Sequence, residues 1–153
     1  MDCVLAQAMW VLGLLPGERL PEVAATALEA GLDSQNLRIL AGLTAVEIGD
    51  APGLFELACR ELGHPRPSRR DAAREYAIAI SREILSGEST PREGASKIWD
   101  ASIRVKDPSF HDLDTFIYAV SELQSRPADR DFFTEEIIKE AGVWASRDAA
   151  AQA

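Results

Sequence analysis

"LSGESTPREGASKIWD", residues 85–100, decides how this chain folds. Within it, residues 86–91 gather a glycine, three small hydroxyl residues, a proline and a glutamate, a mixture that could serve a reaction site. Read by position, each letter has a backbone task instead. Gly87 stands where a helix C-terminus favours positive φ. Thr90 is a capping hydroxyl, Pro91 suits the first helical position, and Glu93 completes a Thr-x-x-Glu capping box. Tyr76, Ala77, Ile80 and Ile84 lie before the cluster at helical spacing, with Ala73 beside them. Ala95, Ile98, Trp99, Ser102 and Ile103 follow it in the same way. The stretch is therefore read as a corner between two helices.

The pattern extends in both directions. Upstream, Ser68 and Asp71 form a variant capping box for a long helix over 69–86, whose stripe Ile78 and Leu85 widen. "HPRPSRR", residues 64–70, is a joint, because two prolines within four residues forbid helix. Before it, spacing predicts a helix over 2–14 with Val4, Leu5, Ala8 and Leu12 inward, stopped by "PG" at 16–17. A second opens at Pro21, carries Val23, Ala27 and Leu28, and ends at Gly31. Asp33 or Ser34 caps a short third helix with Leu37, Leu40 and Ala41, closed by Gly42. "TAVEIGD", 44–50, reads as loop; Asp50 then caps a helix with Leu54, Leu57, Ala58 and Leu62, ended by Gly63. Downstream, helices are predicted over 109–125 (Leu113, Phe116, Ile117, Val120, Leu123) and from an Asp129 cap to Ser146 (Phe132, Phe133, Ile137, Ile138, Ala141, Trp144). The tail "RDAAAQA" reads as fraying. The expectation is an all-α fold of seven to eight helices. Short N-terminal helices over 1–63 pack, across the 64–70 joint, on a C-terminal antiparallel bundle over 71–149, as one compact unit.

Sixteen basic against twenty-five acidic residues give a net charge of −9. Affinity for a phosphate backbone rests on cationic charge, so a general nucleic-acid binder is disfavoured. The sign varies along the chain. Residues 1–63 hold nine acids and three bases, 64–106 six acids and nine bases, and 107–153 ten acids and four bases. The acidic flanks are expected to neutralise the basic middle. Cys3 and Cys59 are the only cysteines, too few for a secreted disulfide scaffold, and both fall on apolar helical faces. The apolar N-terminal run carries Asp2 where a signal peptide has positive charge, so it reads as a buried first helix. No run reaches the ~18 apolar residues of a membrane span, and a cytoplasmic setting is expected.

Several constellations bear on chemistry. Ala27, Gly31, Leu37 and Leu40 stand at the offsets of a DNA-binding helix-turn-helix over 27–42. The would-be recognition helix offers Ser34, Gln35 and Arg38 as DNA contacts, with Asn36 beside them, but it lies in an acidic segment. Arg66, Arg69, Arg70 and Arg74 form the densest basic patch, a candidate contact for an anion or an acidic partner surface. His111 with Asp112 resembles part of a metal-dependent phosphohydrolase motif, yet His64 is the only other histidine. No paired-ligand spacing, nucleophile elbow or phosphate loop is present, so no catalytic, cofactor-binding or metal-binding residue is assigned. Paired acids such as Glu135–Glu136 and Asp129–Asp131 read as capping and solvation. Trp10, Trp99, Phe116, Phe132, Phe133 and Trp144 read as core.

"EILSGESTPREGASKIW" (83–99), "LDTFIYAVSELQSRPADRDFF" (113–133) and "LRILAGL" (37–43) resemble a pattern of small uncharacterised helical proteins of bacteria. The matching positions are caps, turns and core, so the resemblance implies a helical fold and brings no catalytic residues.

The functional expectation is a non-enzymatic acidic protein-interaction module, of the immunity or antitoxin-type inhibitor or adaptor kind, with a basic protein as partner. Two rivals stand beside it. One is a small helical enzyme or small-molecule binder with a pocket between the two halves, lined by His64, Arg70 or His111. The other is a helix-turn-helix regulator using 27–42. No cofactor, no membrane and no general nucleic-acid partner is expected, and a homo-oligomer fits all three readings.

Overall fold

The computed structural model describes residues 1–147. The reading of the "RDAAAQA" tail falls, beyond Arg147, outside the described residues. All regular structure among the described residues is helical, in eight α-helices and three 3-10 turns. The chain divides into two compact units, Met1–Ala72 and a second that begins at Ala73.

The first unit holds α1 (Cys3–Val11), α2 (Leu20–Glu29), α3 (Gln35–Ala41) and α4 (Ala51–Glu61). Asp2 caps α1 by accepting from the Leu5 N–H at 2.7 Å. The helix ends earlier than the expected Leu14. Gly13 takes φ 72°, the Leu14 N–H reaches the Met9 carbonyl at 2.8 Å, and the Gly13 N–H bonds Trp10. That bonding closes a helix wherever glycine tolerates the left-handed conformation. It recurs after α2 and α4, where Leu32 bonds Ala27 and His64 bonds Cys59. Leu20, Val23, Ala27, Leu37, Leu40 and Phe55 form one core with Cys3, Ala6 and Cys59. The inward face of α1 is Cys3, Ala6, Ala8 and Val11; Val4 and Leu5 are only half-buried. In α4 the buried side chains are Ala51, Phe55, Ala58 and Cys59, whereas Leu57 is exposed. Phe55 is the largest apolar side chain of that helix. Seating it turns the helix away from the Leu54–Leu57 face.

Residues 44–50 are not loop: Ala45–Asp50 is a 3-10 turn that runs directly into α4. Asp50 is therefore already helical, at φ −84°, ψ −13°, and its side chain makes no cap bond. Asp129 fails as a cap for the same reason, because the 3-10 turn Pro127–Asp129 feeds α8 (Arg130–Ala145). Ser34 and Thr90 hold the extended backbone that a capping side chain needs, and both cap.

Helix α5 (Arg69–Ser86) leads to the corner quoted above. Gly87 takes φ 83°, and the Ser89 N–H returns to the Glu83 carbonyl at 3.2 Å. Thr90 and Glu93 form the complete capping box of α6 (Pro91–Arg104). Helices α6, α7 (Asp114–Ser125) and α8 pack on one another. Their core holds Ile98, Phe116, Val120, Phe133, Ile137 and Trp144, with Ile80 and Ile84 of α5 pressing on Gly94. Helix α7 starts five residues later than the expected Ser109. Asp107 accepts from both the backbone N–H (3.0 Å) and the hydroxyl (2.7 Å) of Ser109, which holds 107–110 in a turn. Asp112 therefore precedes the helix rather than occupying its first turn.

Gly94→Ala sets a methyl 2.5 Å from Ile84 Cδ1 and 3.3 Å from Ile80 Cγ2. Alanine gains ~1 kcal/mol of helix propensity, but overpacking a buried, β-branched neighbour costs ~1–3 kcal/mol. Denaturant unfolding should show Gly94→Ala less stable by ~1 kcal/mol. Gly142→Ala in α8, which has open space around it, should gain ~0.5–1 kcal/mol. Equal responses at the two sites would show that Ile84 yields freely.

Candidate functional site

Successive helical residues point ~100° apart, so a helix covered on one side seats two adjacent bulky rings unequally. Residues 132 and 133 are both phenylalanine. Phe133 goes in at 3% exposure and Phe132 stays out at 59%. This corrects the expectation that both are core. In α7 the run "FIY" meets the same limit: Phe116 is buried and Tyr118 is 61% exposed. Each outer ring contacts the inner one. Tyr118 lies edge-on to Phe133 with centroids 6.1 Å apart, and Phe132 does so at 5.1 Å. The three rings form a ridge across α7 and α8, fixed beneath by a buried ring.

Carboxylates surround this ridge at helical spacing. Asp114 and Glu122 stand four residues either side of Tyr118; Asp129 precedes Phe132 by three, and Glu135 and Glu136 follow it by three and four. From Asp114 to Ala145 there are seven acids and three bases. One of those bases, Arg126, pairs with Glu122 at 3.4 Å. The doublet and the run were visible in the sequence. Their meaning was missed because a helical apolar pattern does not say how much of it a neighbour covers.

The residues singled out from sequence are placed as follows. Ser34 caps α3 through the Leu37 N–H at 3.1 Å. Asn36 donates from its backbone (3.2 Å) and its side chain (2.5 Å) to Glu61, whose carboxyl the Ser34 hydroxyl chiefly, and Asn36 next, hold below the usual carboxylate range. Gln35 is exposed, and Arg38 pairs with Asp33 at 3.2 Å. A carboxylate thus sits at the helix turn that would meet DNA phosphate. Arg66 pairs with Glu56. Arg74 pairs with Asp112 at 2.7 Å and lies 5.7 Å from the Phe110 ring centroid. Arg69 and Arg70 open α5, and neither is without a partner. His64 offers its carbonyl to Gln7 Nε2 at 2.9 Å, and His111 Nδ1 faces Asp114 at 3.0 Å. Among the described residues no three His, Cys, Asp or Glu side chains gather to hold a metal ion. No helix among them is long and apolar enough to cross a membrane.

A recess in the first unit, lined by Gln7, Trp10, Phe55, Glu56, Cys59 and Arg66 among others, has about 10 Å³ of room. That suits about one water, far below the ~300 Å³ of a small-molecule pocket. Both thiols are buried and free. Burial pushes Cys59 up to about 12, helped by Cys3 and Glu56, and raises Cys3 with help from Asp2. A thiol held protonated is a poor nucleophile. The Ser81 hydroxyl is fully buried and, among the described residues, has no hydrogen-bond partner.

These features generate two predictions. Removing the unmet Ser81 hydroxyl by Ser81→Ala should raise unfolding free energy by ~1 kcal/mol; a loss would reveal a polar partner. The Cys59 thiol favours its protonated form on folding, so its contribution is full below pH 9 and is lost as pH rises from 9 toward 12. Neither thiol should react with a disulfide reagent at neutral pH until the chain unfolds. Cys59→Ala should flatten the fall of stability over that alkaline range. Prompt labelling of the native chain, or an unchanged alkaline slope, would contradict the burial argument.

No family model matches this chain, and comparison with curated proteins and with solved structures gives no significant match.

Proposed function

We propose that the chain is a non-enzymatic, acidic protein-interaction module of the cytoplasm. Its kind is the inhibitor or adaptor, as an immunity protein or antitoxin is, and its partner is a basic protein. The observation that carries this reading is the pair of exposed rings, Tyr118 and Phe132, held out from α7 and α8 among carboxylates. Exposed aromatics on rigid elements are typical binding anchors, because they bury large areas while losing little side-chain freedom. The carboxylates around them supply a field that speeds encounter with a partner of opposite sign and disfavours wrong partners. Basic residues elsewhere are taken up locally, as with Arg66 on Glu56 and Arg74 on Asp112, which leaves the negative sign dominant.

The test is kinetic. A basic protein that co-purifies with the chain is reconstituted with it from pure components, and the association rate is followed by stopped flow as salt is raised. The rate should fall at least about tenfold between low and physiological ionic strength, because exposed charges are screened beyond ~8 Å at ~0.15 M. A salt-independent rate contradicts electrostatic steering. Failure of any basic protein to bind in the pure system contradicts the interaction reading.

A further inference from the structure

The interaction reading leaves open which surface binds and what it takes, and the inference here rests on that reading. We infer that the Tyr118–Phe133–Phe132 ridge on α7 and α8 is the docking surface for an arginine- or lysine-bearing segment of a partner protein, with an apolar anchor between its cations.

Geometry supplies the apolar half of this recognition. The outer rings are mostly exposed, and the buried Phe133 ring fixes both from beneath at 6.1 and 5.1 Å. Such a ridge is preorganised, so little ordering cost falls on binding. Charge supplies the other half. Asp114 and Glu122 bracket Tyr118 along α7, and Asp129, Glu135 and Glu136 bracket Phe132 along the entry to α8 and the helix itself. Glu122 already pairs with Arg126 and Asp114 faces His111, so it is beside Phe132, at Glu135 and Glu136, that an incoming cation meets a carboxylate and a ring face at once, and aromatic faces attract cations. Arginines already cover two of this chain's rings in that manner: Arg74 is 5.7 Å from the Phe110 centroid, and Arg147 is 3.7 Å from that of Trp144. Among the described residues, Tyr118 and Phe132 have no such cover.

The same carboxylates exclude the other occupants. Nucleic acid and anionic lipid carry the sign of the rim. A second copy would bring the same acidic patch against itself, since a two-fold interface pairs like patches.

The test uses the whole chain with a synthetic amphipathic leucine–arginine helix, a leucine–glutamate helix of the same pattern, and the reconstituted basic partner. The leucine–arginine helix should bind and shift backbone amide resonances around Tyr118 and Phe132; the leucine–glutamate helix should not bind. The double variant Tyr118→Ala/Phe132→Ala should weaken both the peptide and the partner at least about tenfold, as truncating central anchors does. Glu135→Lys/Glu136→Lys should also weaken both at least about tenfold by placing cations opposite cations. Tyr118, Phe132 and Glu135 are exposed and Glu136 is half-buried, so circular dichroism and melting should stay unchanged and keep the comparison valid. Resonance shifts confined to the first unit, or double variants that bind as the wild type does, overturn the ridge assignment. If the partner still binds those variants, the interaction reading survives that loss. If no basic protein binds the wild type, both fall. A wild-type dimer that Phe132→Ala converts to monomer would assign the ridge to a second copy and overturn the proposal.

Discussion

At position 94 the backbone of α6 comes so close to Ile84 of α5 that a methyl group would overlap the isoleucine Cγ1. The corner at 87–93 is built around that approach. Gly87 turns the chain through a left-handed residue, and the Ser89 amide closes the end of α5 on the Glu83 carbonyl. Thr90 and Glu93 then satisfy each other's amides and fix where α6 starts. The capping box sets the register of α6, so Gly94, rather than a residue with a side chain, faces Ile84 and Ile80. A shift of one residue would put Glu93 or Ala95 there. The rest of the second unit follows from this alignment, since Ile98 and Ala101 are then directed into the core that α7 and α8 complete. Thr90 and Glu93 each contribute only ~1 kcal/mol through the cap. Their larger effect is to decide which face of α6 is buried.

The same geometric limit that seats Gly94 creates the candidate surface. A helix packed on one side buries a stripe, and any apolar residue off the stripe stays in water. In α8 the stripe is Phe133, Ile137, Ala141 and Trp144, so Phe132, Ile138 and Val143 are left exposed. In α7 it is Phe116, Ala119, Val120 and Leu123, which leaves Tyr118 out. Scattered apolar exposure is ordinary on a protein surface. What separates Tyr118 and Phe132 from Ile103 or Leu85 is contact. Their rings meet through Phe133 into one feature, and acids stand beside both.

Where local chemistry decides structure, the sequence was readable. The 85–100 corner, the Ser34 cap and the helix ends before Gly31 and Gly63 each rest on a few adjacent residues, and all are present. The misreadings have a common physical cause: a residue's role depended on a backbone state that its neighbours set. Asp50 and Asp129 look like caps by type, yet each ends a 3-10 turn and lacks the extended backbone a capping side chain needs. Asp107 captured Ser109 and delayed α7. Phe55 outweighed Leu57 for the core face of α4. The candidate surface was less legible than the fold, because periodicity shows which residues are apolar together and not which of them a neighbour covers. Arg66 and Arg74 illustrate the reverse error. A run of like charges looked like one patch, but each was drawn to a carboxylate, Glu56 in one case and Asp112 in the other.

An exposed aromatic ridge is ordinarily a hazard, since two copies can bury it against each other. Placing it among acids changes that balance without altering the ridge. Two unit charges ~4 Å apart at a protein surface interact by up to ~4 kcal/mol, and several like pairs across one interface would offset the gain from burying two or three rings. The same charges reverse sign of effect when the approaching surface is cationic. Attraction then adds to ring burial, and the cation finds a second contact on the aromatic face. Under the proposed reading, one arrangement of side chains would resist self-association and admit a basic partner; the discrimination would arise at the rim, while the rings would supply contact area that either occupant could use. Specificity of this kind needs no deep pocket and no converging catalytic groups. It is consistent with a chain whose recess in the first unit has room for about one water and whose thiols are kept protonated by burial.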